Sequence, residues 1–248
     1  MREKNNKIAL VTGSTGGMGT AICQRLYNDG YTVVANHRNL PKALKWQEEQ
    51  LKIGIDVKLA EGDVTDYNSV DTMIKNIEKE VGVVDVLVNN TGIMRDAMLK
   101  KMTPQQWNEV INTNLNSVFN CSRLVVNQMI EKKWGRIICI SSVNGHKGSY
   151  GTCNYSTTKA AMYGFIKTAA METVKYGITV NTISPGYTAT PMLMAIPEEI
   201  MQKIIAQIPM GRLALPKEIA ASVSYLASDD SAFITGADIS INGGQYLY

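Results

Sequence analysis

The sequence has 248 residues, of which 45% are hydrophobic and 19% are charged, with a formal net charge of +3. This length and balance fit one large α/β domain and exclude a disordered chain or a minimal binding module. The positive excess is too small and too scattered along the chain to indicate nucleic-acid binding.

Neither a metal site nor a membrane segment is indicated. The four cysteines form no CxxC pair and only two histidines occur, so the ligand cluster of a zinc dehydrogenase is missing. Free cysteines are typical of a reducing cytosol. Residues 1–7 are polar and charged, and no window approaches the roughly 18 apolar residues of a membrane span. We expect a cytoplasmic protein with no signal peptide, metal or membrane partner.

Short runs rich in β-branched residues alternate with longer segments of helical period. The predicted strands are Lys7–Val11, Thr32–Asn36, Asp56–Ala60, Val84–Asn89, Arg136–Ile140, Thr179–Ile183 and Asp238–Ile241. The predicted helices lie near 18–29, 41–53, 67–81, 104–133, 154–176 and 216–228. Pro104 after Thr103, and Pro216 before Lys217, mark two helix starts.

This alternation predicts a single-domain α/β fold over residues 1–248. We expect a Rossmann-type, doubly wound parallel sheet of about seven strands with helices on both faces. The least regular stretch is 187–212, which contains Pro191, Pro197 and Pro209 and follows a strand. Because open α/β sheets bind ligands beyond the carboxyl ends of their strands, this stretch is predicted to be a substrate lid. A plain connecting loop is the alternative.

A glycine-rich segment connects the first strand to the first helix. Residues 12–19 read T-G-x-x-x-G-x-G, and the helical period begins immediately afterwards. Glycines in such a turn let the backbone approach a pyrophosphate, and the helix N-terminus adds free N–H groups and partial positive charge. A glycine-rich loop alone is weak support, and a purely structural turn is the alternative. Its place in the first strand–helix connection favours a dinucleotide site.

The second strand favours NADP(H) over NAD(H). NAD-specific folds usually place an acidic residue about 20 residues after the glycines, where it binds the ribose hydroxyls. No acidic residue occurs between Gly30 and Gln47, and Arg38 follows the position where the acid would stand. A guanidinium binds a phosphate with two hydrogen bonds. A solvated surface charge is the alternative for Arg38.

Tyr155 and Lys159 lie four residues apart on a predicted helix, so both project from one face. A neighbouring cation is expected to lower the tyrosine pKa from about 10 toward neutral pH, which suits a general acid. This spacing is common by chance, and a packing tyrosine beside a solvated lysine is the default. However, Ser142 ends the fifth strand thirteen residues before Tyr155, where its hydroxyl can share a substrate carbonyl.

Further motifs occur in a fixed order along the chain: residues 89–92 (NNTG), 112–114 (NTN) and 185–186 (PG). Together with the glycine-rich loop and the Ser, Tyr and Lys set, they resemble the short-chain dehydrogenase/reductase family over nearly the whole chain. The resemblance implies that Tyr155 protonates the substrate oxygen and that Ser142 orients the carbonyl. It also implies that Lys159 holds the nicotinamide ribose and tunes Tyr155, and that Asn114 holds a water in a proton relay.

The resemblance also implies sets of binding residues. The cofactor set is Gly13, Thr15, Gly17, Met18, Gly19, Arg38, Gly62, Asp63, Val64, Asn90, Thr91, Gly92, Ile93, Tyr155, Lys159, Pro185, Gly186 and Thr188. The substrate set is Asp96, Ser142, Ser149, Thr152, Tyr155 and Tyr187. The sequence departs from the family at Thr91, usually alanine, and at Thr188, usually isoleucine or valine.

Within the family, the sequence resembles the acetoacetyl-CoA reductases of polyhydroxybutyrate synthesis. The resemblance is carried by residues 16–26, 134–137, 141–145, 154–157 and 184–187, and by Asp96. It implies NADPH-dependent reduction of acetoacetyl-CoA to (R)-3-hydroxybutyryl-CoA by a homotetramer. Ser149 and Thr152 replace common glutamines, and Pro197 replaces a basic residue, which leaves the acyl carrier open.

The alternative within the family is a 3-oxoacyl-acyl-carrier-protein reductase, which shares every catalytic residue. A sugar-nucleotide epimerase would need a longer substrate domain, and a non-catalytic NADP(H)-sensing module would tend to lose Tyr155, Ser142 or Lys159. We expect the apolar face Ala161, Met162, Phe165 and Ala169 to form a subunit contact.

Overall fold

The computed structural model describes residues 6–247, so most of the predicted polar N-terminal segment lies outside the described residues. Seven strands form one sheet in the order β3-β2-β1-β4-β5-β6-β7, and every neighbouring pair is parallel. This confirms the predicted Rossmann-type fold class. The strands are β1 Ile8–Val11, β2 Thr32–His37, β3 Lys58–Glu61, β4 Val86–Asn89, β5 Gly135–Ile140, β6 Ile178–Pro185 and β7 Asp238–Ile241.

All six predicted helices occur, with their ends shifted by a few residues. The α-helices are α1 Gly17–Asn28, α2 Leu40–Lys52, α3 Tyr67–Glu80, α4 Pro104–Ile111, α5 Ser117–Lys132, α6 Val143–Lys147, α7 Cys153–Thr173, α8 Pro191–Met194, α9 Glu198–Ile205 and α10 Pro216–Ala227. Short 3-10 turns cover Leu99–Lys101, Val174–Tyr176 and Asp229–Ser231. The predicted helix 104–133 is interrupted by a π-helical turn at Asn112–Asn116.

The helices cover both faces of the sheet, and each face has its own apolar core. Side chains of β4 alternate between the two, because Val86 and Val88 belong to one cluster and Leu87 to the other. Helices α1, α2 and α10 pack on the first face, and α3, α5 and α7 pack on the second. Each fully buried large apolar side chain contributes about 1.5–3 kcal/mol.

The sequence of α4 explains where the helix carrying Asn114 begins. Thr103 accepts a hydrogen bond from the main-chain N–H of Gln106, whose side chain accepts one from the N–H of Thr103 in return. This capping box, with Pro104 in the first turn, confirms the predicted start. The helix then continues into the π turn at Asn112–Asn116, which contains Asn114.

Two expectations need correction. Met162 is fully buried in the core of the second face, so it cannot form a subunit contact. Segment 187–212 is more regular than expected, because it contains the short helices α8 and α9. Pro191 occupies the first turn of α8, and Pro197 precedes α9, so two of the three prolines begin helices.

The sheet order places a crevice beyond the ends of β1 and β4. Connections from β1 lead towards β2 and β3 on one side, whereas β4 begins the other half of the sheet. Such a switch point is where open α/β folds bind their ligands. We call the strand ends at Val11, Asn89, Ile140 and Pro185 the carboxyl edge of the sheet.

Residues 6–247 contain neither a membrane-spanning helix nor a metal-binding cluster. No helix in this range has the length and apolar character needed to cross a membrane. The same residues contain no group of three or more His, Cys, Asp or Glu side chains arranged to hold a metal ion.

Candidate active site

The glycine-rich segment forms a tight turn between β1 and α1. Gly13 has a positive φ of 61°, which residues with a side chain rarely adopt. A Cβ at Gly19 would lie 2.2 Å from the carbonyl oxygen of Gly13, so the first turn of α1 can pack against the loop only with glycine there. Thr15 and Met18 are half-buried in the same turn. The backbone is therefore shaped to approach a phosphate at the N-terminus of α1.

The start of α8 lies against this loop. A Cβ at Gly17 would lie 2.7 Å from Cδ of Pro191 and 3.0 Å from Cβ of Thr190. Segment 187–212 thus borders the glycine-rich turn directly. The contact agrees in position with the predicted lid, whose movement stays a prediction.

Residues after β4 tie the loop to the centre of the sheet. The Thr12 hydroxyl accepts hydrogen bonds from the main-chain N–H groups of Asn90 (3.0 Å) and Thr91 (3.1 Å). The Asn90 amide donates to the carbonyls of Thr12 (3.0 Å) and Gly13 (3.1 Å). Asn90 Oδ1 and Thr91 Oγ1 are buried without a hydrogen-bond partner in residues 6–247. Because buried polar atoms are nearly always paired, these two oxygens fit a polar ligand bound at the loop.

The ends of β2 and β3 line a cleft of about 570 Å³, formed by Arg38, Glu61, Gly62, Asp63, Ser69, Thr72 and Asn76. The Arg38 side chain is 69% exposed, and its Nη1 lies 4.0 Å from Oδ2 of Asp63. His37, where an NAD-specific fold would carry its acid, is buried, and its Nδ1 is unpaired within the described chain. Val64 points into the apolar core, so it can contact a cofactor only through its main chain.

Asn114 is fixed by the π turn at the carboxyl edge. Its Oδ1 accepts from the main-chain N–H of Ile93 at 2.8 Å, and its Nδ2 donates to the Ile93 carbonyl at 2.9 Å. The same Nδ2 contacts the Thr158 hydroxyl at 3.3 Å. A Cβ at Gly92 would lie 3.6 Å from both Asn114 Oδ1 and Lys159 Nζ. Residues predicted from three separate motifs are therefore close neighbours.

Ser142, Tyr155 and Lys159 come together where β5 meets α7. Ser142 follows β5 and caps α6, with its Oγ accepting the N–H of Asn144 at 3.2 Å. The Ser142 hydroxyl lies close enough to the Tyr155 hydroxyl to favour its ionised form. Lys159 is buried, and its Nζ donates to the carbonyl of Ile140 at 2.6 Å and lies 5.5 Å from the centre of the Tyr155 ring. Two hydroxyls and an ammonium thus share one small site.

The electrostatics of this site reverse one expectation. Burial raises the pKa of Tyr155, and the nearby Asp96 charge adds to the rise, although the Ser142 hydrogen bond acts in the other direction. Burial lowers the pKa of Lys159 to about 8. The expected lowering of the tyrosine pKa is therefore wrong for this structure. The desolvation of the phenolate is decisive, since it disfavours the charged form.

Three of the predicted substrate residues, Asp96, Ser149 and Thr152, lie on two adjoining segments. The N–H of Ala97 donates to the Gly151 carbonyl at 2.9 Å, which places Asp96 beside 149–152. Burial raises the pKa of Asp96. The hydroxyl of Thr152 is buried and bonded to the Ser149 carbonyl (2.8 Å) and to Ser156 (2.9 Å). Thr152 is thus committed to the loop itself, and its contact with substrate stays a prediction.

The residues after β6 complete the carboxyl edge. A Cβ at Gly186, next to Pro185, would lie 2.9 Å from the main-chain Cα of Asn242, so glycine is required where the C-terminal segment crosses. The Thr188 hydroxyl donates to the Gly186 carbonyl at 3.1 Å. Tyr187 bonds through its main chain to Ala214, at 2.9 Å. Their roles in binding stay predictions.

Sequence reasoning missed two residues that shape the site. Thr158 contacts Asn114 and lies within the Tyr155–Lys159 motif, so its position beside two named residues was the available signal. Gln245 approaches Gly186 from 59 residues further along the chain. Nothing in the local sequence pattern indicates that contact.

Comparison with known proteins gives consistent matches along the chain. The family model described as short chain dehydrogenase matches residues 7–200. An acetoacetyl-CoA reductase of Cupriavidus necator is 50% identical over 242 residues, covering 97% of this chain and 98% of that protein. Nodulation protein G of Azospirillum brasilense is 51% identical, with 97% and 98% covered. A 3-oxoacyl-acyl-carrier-protein reductase of Staphylococcus aureus is 40% identical, with 98% and 100% covered.

The buried ammonium predicts a pH-dependent stability. The pKa of Lys159 falls from an ordinary 10.5 to about 8 on folding, so between these values the unfolded chain binds more protons. The contribution of Lys159 to the free energy of unfolding should therefore rise with pH across this window, by up to about 3 kcal/mol. Urea unfolding of the wild type and of Lys159→Met, at pH 7 to 10, measures this difference.

The matched control is Lys167→Met, on the exposed side of the same helix, which should differ from the wild type by a constant amount. A flat difference for Lys159→Met over the same range would show that its pKa is not depressed.

Proposed function

This chain belongs to the short chain dehydrogenase family and is a nicotinamide-dependent oxidoreductase, and we propose that it reduces acetoacetyl-CoA to (R)-3-hydroxybutyryl-CoA with NADPH. The observation that carries the chemistry is the meeting of the Ser142 and Tyr155 hydroxyls beside the buried Lys159 ammonium. The substrate is supported by the 50% identity, over nearly both full lengths, to an acetoacetyl-CoA reductase.

The residues around the glycine-rich loop fit a dinucleotide. Gly13 and Gly19 allow close approach to the pyrophosphate, and the unpaired oxygens of Asn90 and Thr91 would accept hydrogen bonds from hydroxyl groups of the dinucleotide. Tyr155 and Lys159 would hold the nicotinamide end, with Gly92 leaving space between Asn114 and Lys159. The cofactor, when bound, supplies a hydride to the carbonyl carbon of the substrate.

Tyr155 acts as the general acid in this proposal. Its raised pKa keeps the phenol protonated at neutral pH, so it can donate its proton to the oxygen that gains negative charge. Ser142 donates a second hydrogen bond to that oxygen and orients the carbonyl. The Lys159 ammonium favours the phenolate that the transfer leaves behind, and Asn114 would hold the water that returns a proton.

The cofactor preference follows from the end of β2. His37 and Arg38 stand where an acid would bind ribose hydroxyls, and the exposed guanidinium opens onto the cleft beside Gly62 and Asp63. A 2′-phosphate there would meet a cation rather than a carboxylate at the strand end. The Asp63 carboxylate lies 4.0 Å from the same guanidinium, so a bound phosphate would compete with Asp63 for Arg38.

Charge placement favours CoA over a carrier protein. Lys100 and Lys101 are exposed just after Asp96, and within residues 6–247 neither forms an ion pair. A carrier protein would use a broad basic surface, for which Arg123, Lys132, Lys133 and Lys167 are candidates. However, Lys132 pairs with Asp85 at the start of β4, at the opposite edge of the sheet from the site. The remaining cations near Asp96 suit a few phosphates.

We also propose that the enzyme is a cytoplasmic homotetramer. Large apolar side chains are exposed on α5 and α7, two of the helices of the second face, and just after α7: Phe119, Met171 and Val174. Exposed apolar side chains of this size are typical of subunit contacts. They replace Met162 as candidates for the interface.

The first test removes the transferable proton. Tyr155→Phe keeps the ring, so NADPH binding should survive while kcat falls by at least about 10²-fold, the usual scale of general acid catalysis. NADPH oxidation and cofactor fluorescence measure the two quantities. A variant with a tenth of the wild-type kcat would remove Tyr155 from this role.

The second test concerns cofactor choice. Arg38→Ala should raise the Kd of NADPH by about 10-fold or more and leave that of NADH nearly unchanged, because a charge-assisted contact contributes about 1.5–3 kcal/mol. Calorimetry with both cofactors measures this ratio. Lys52→Ala removes an exposed charge at the far end of α2 and serves as the control. Equal losses for both cofactors would contradict phosphate recognition by Arg38.

The third test identifies the acyl carrier. We expect kcat/KM for acetoacetyl-CoA to exceed that for acetoacetyl-carrier protein under identical conditions. Replacing Lys100 and Lys101 together by alanine should raise KM for the CoA thioester, because long-range attraction to its phosphates is lost. Lys167→Ala with Lys175→Ala is the charge-matched control. A tenfold preference for the carrier-protein substrate would assign the enzyme to fatty-acid elongation instead.

A further inference from the structure

A chain of hydrogen bonds runs from the edge strand β7 to the main chain of Ser142. Asp238 Oδ1 accepts from the hydroxyls of Thr182 and Ser184, both at 2.6 Å. Ser184 Oγ lies 3.0 Å from the Tyr163 hydroxyl, which donates to the Ser142 carbonyl at 3.1 Å. We propose that Asp238, acting through Ser184 and Tyr163, is a positioning residue for Ser142, a role that rests on the proposed function.

The number of available protons determines which group donates and which accepts in this series of hydrogen bonds. A carboxylate only accepts, so the single Ser184 proton points to Asp238 at the shortest contact. The Ser184 oxygen is then free to accept from Tyr163. The single Tyr163 proton is consequently shared between Ser184 Oγ and the Ser142 carbonyl. The negative charge of Asp238 thereby orients the tyrosine hydroxyl that holds Ser142.

A second branch fixes the helix that Ser142 caps. His146 lies on α6, and its Nε2 is 2.8 Å from Asp238 Oδ2. Its ring stacks on Tyr163 at 4.4 Å between centroids and on Tyr246 at 5.1 Å. Asp238 therefore holds α6 directly through His146 and holds its capping residue through Tyr163.

Gly145 allows the two branches to meet. Its N–H donates to the Ser142 carbonyl at 2.8 Å, so that carbonyl is held by both α6 and Tyr163. A Cβ on Gly145 would lie 2.8 Å from the Tyr163 hydroxyl and 2.9 Å from the main chain of Lys159. Glycine thus brings α6 against α7 at the level of the catalytic lysine.

These contacts determine the position of the Ser142 hydroxyl. The Ser142 Oγ accepts the Asn144 N–H at 3.2 Å and lies near the Tyr155 hydroxyl, so a shift of the Ser142 main chain changes its distance to Tyr155. A misplacement of about 1 Å can reduce a rate about 10²-fold. Loss of the Tyr163 hydroxyl should therefore affect turnover more than binding.

The test compares kcat, KM, NADPH affinity and melting temperature. Tyr163→Phe keeps the ring stack and removes the hydroxyl that bonds to Ser184 and the Ser142 carbonyl, so kcat should fall about tenfold with KM for acetoacetyl-CoA and Kd for NADPH within twofold. Asp238→Asn should show the same split. Tyr225→Phe, on α10 outside this chain of contacts, is the matched control and should leave every quantity unchanged.

Rescue separates positioning from packing. His146→Gln retains an N–H donor for Asp238 and should keep kcat within about threefold, whereas His146→Leu should lower it as Tyr163→Phe does. Unchanged kcat in Tyr163→Phe would overturn the proposal. So would a parallel loss of kcat, substrate affinity, NADPH affinity and melting temperature, which indicates a structural role.

Turnover of acetoacetyl-CoA by the wild-type enzyme tests the proposed function separately. If acetoacetyl-CoA is not turned over, that function fails, and the same kcat ratios are measured with the small ketoester ethyl acetoacetate. A tenfold ratio for Tyr163→Phe on that ester would still support the positioning role, and a ratio near one would remove it.

Discussion

The interaction on which the site depends is the hydrogen bond from the Lys159 ammonium to the carbonyl of Ile140. A buried cation is costly unless it is paired or hydrogen-bonded, and the Nζ to O distance of 2.6 Å makes this contact a strong one. The Ser141 hydroxyl returns a bond of 2.9 Å to the Lys159 carbonyl. Helix α7 is thus fixed to the end of β5 in both directions, and this places Tyr155, one turn earlier, against Ser142.

The fold could be predicted where local pattern and tertiary position agree. The buried parallel strands are recognisable as runs rich in β-branched residues, and Pro104 and Pro216 correctly predicted the starts of two helices. The π turn at Asn112–Asn116 was invisible because the apolar period of 104–133 continues through it. In 187–212 the prolines obscured the helical period, although Pro191 obeys the rule that had located α4.

The sequence predicted which residues lie close together at the site, but it did not predict their burial or their distant contacts. Motif order brought Asn114, Ser142, Tyr155 and Lys159 into one place, as the contacts among their neighbours show. The sign of the Tyr155 pKa shift was wrong because sequence spacing reports the nearby cation and not the burial of the phenol. The pairing of His146 with Asp238 joins residues 92 positions apart, which no local pattern indicates.

The segments that resemble the family include residues that lie outside the candidate active site. Trp134 and Arg136, in one of the segments that resembles the reductases, lie at the opposite edge of the sheet from the site. Lys7 Nζ lies 4.5 Å and the Arg136 guanidinium 4.3 Å from the centre of the Trp134 ring, and Trp134 Nε1 donates to Asp229 at 2.9 Å. Cation–π contacts of this kind each contribute about 0.5–2 kcal/mol. They join the starts of β1 and β5, so this part of the resemblance reflects the stability of the sheet and not the chemistry of the site.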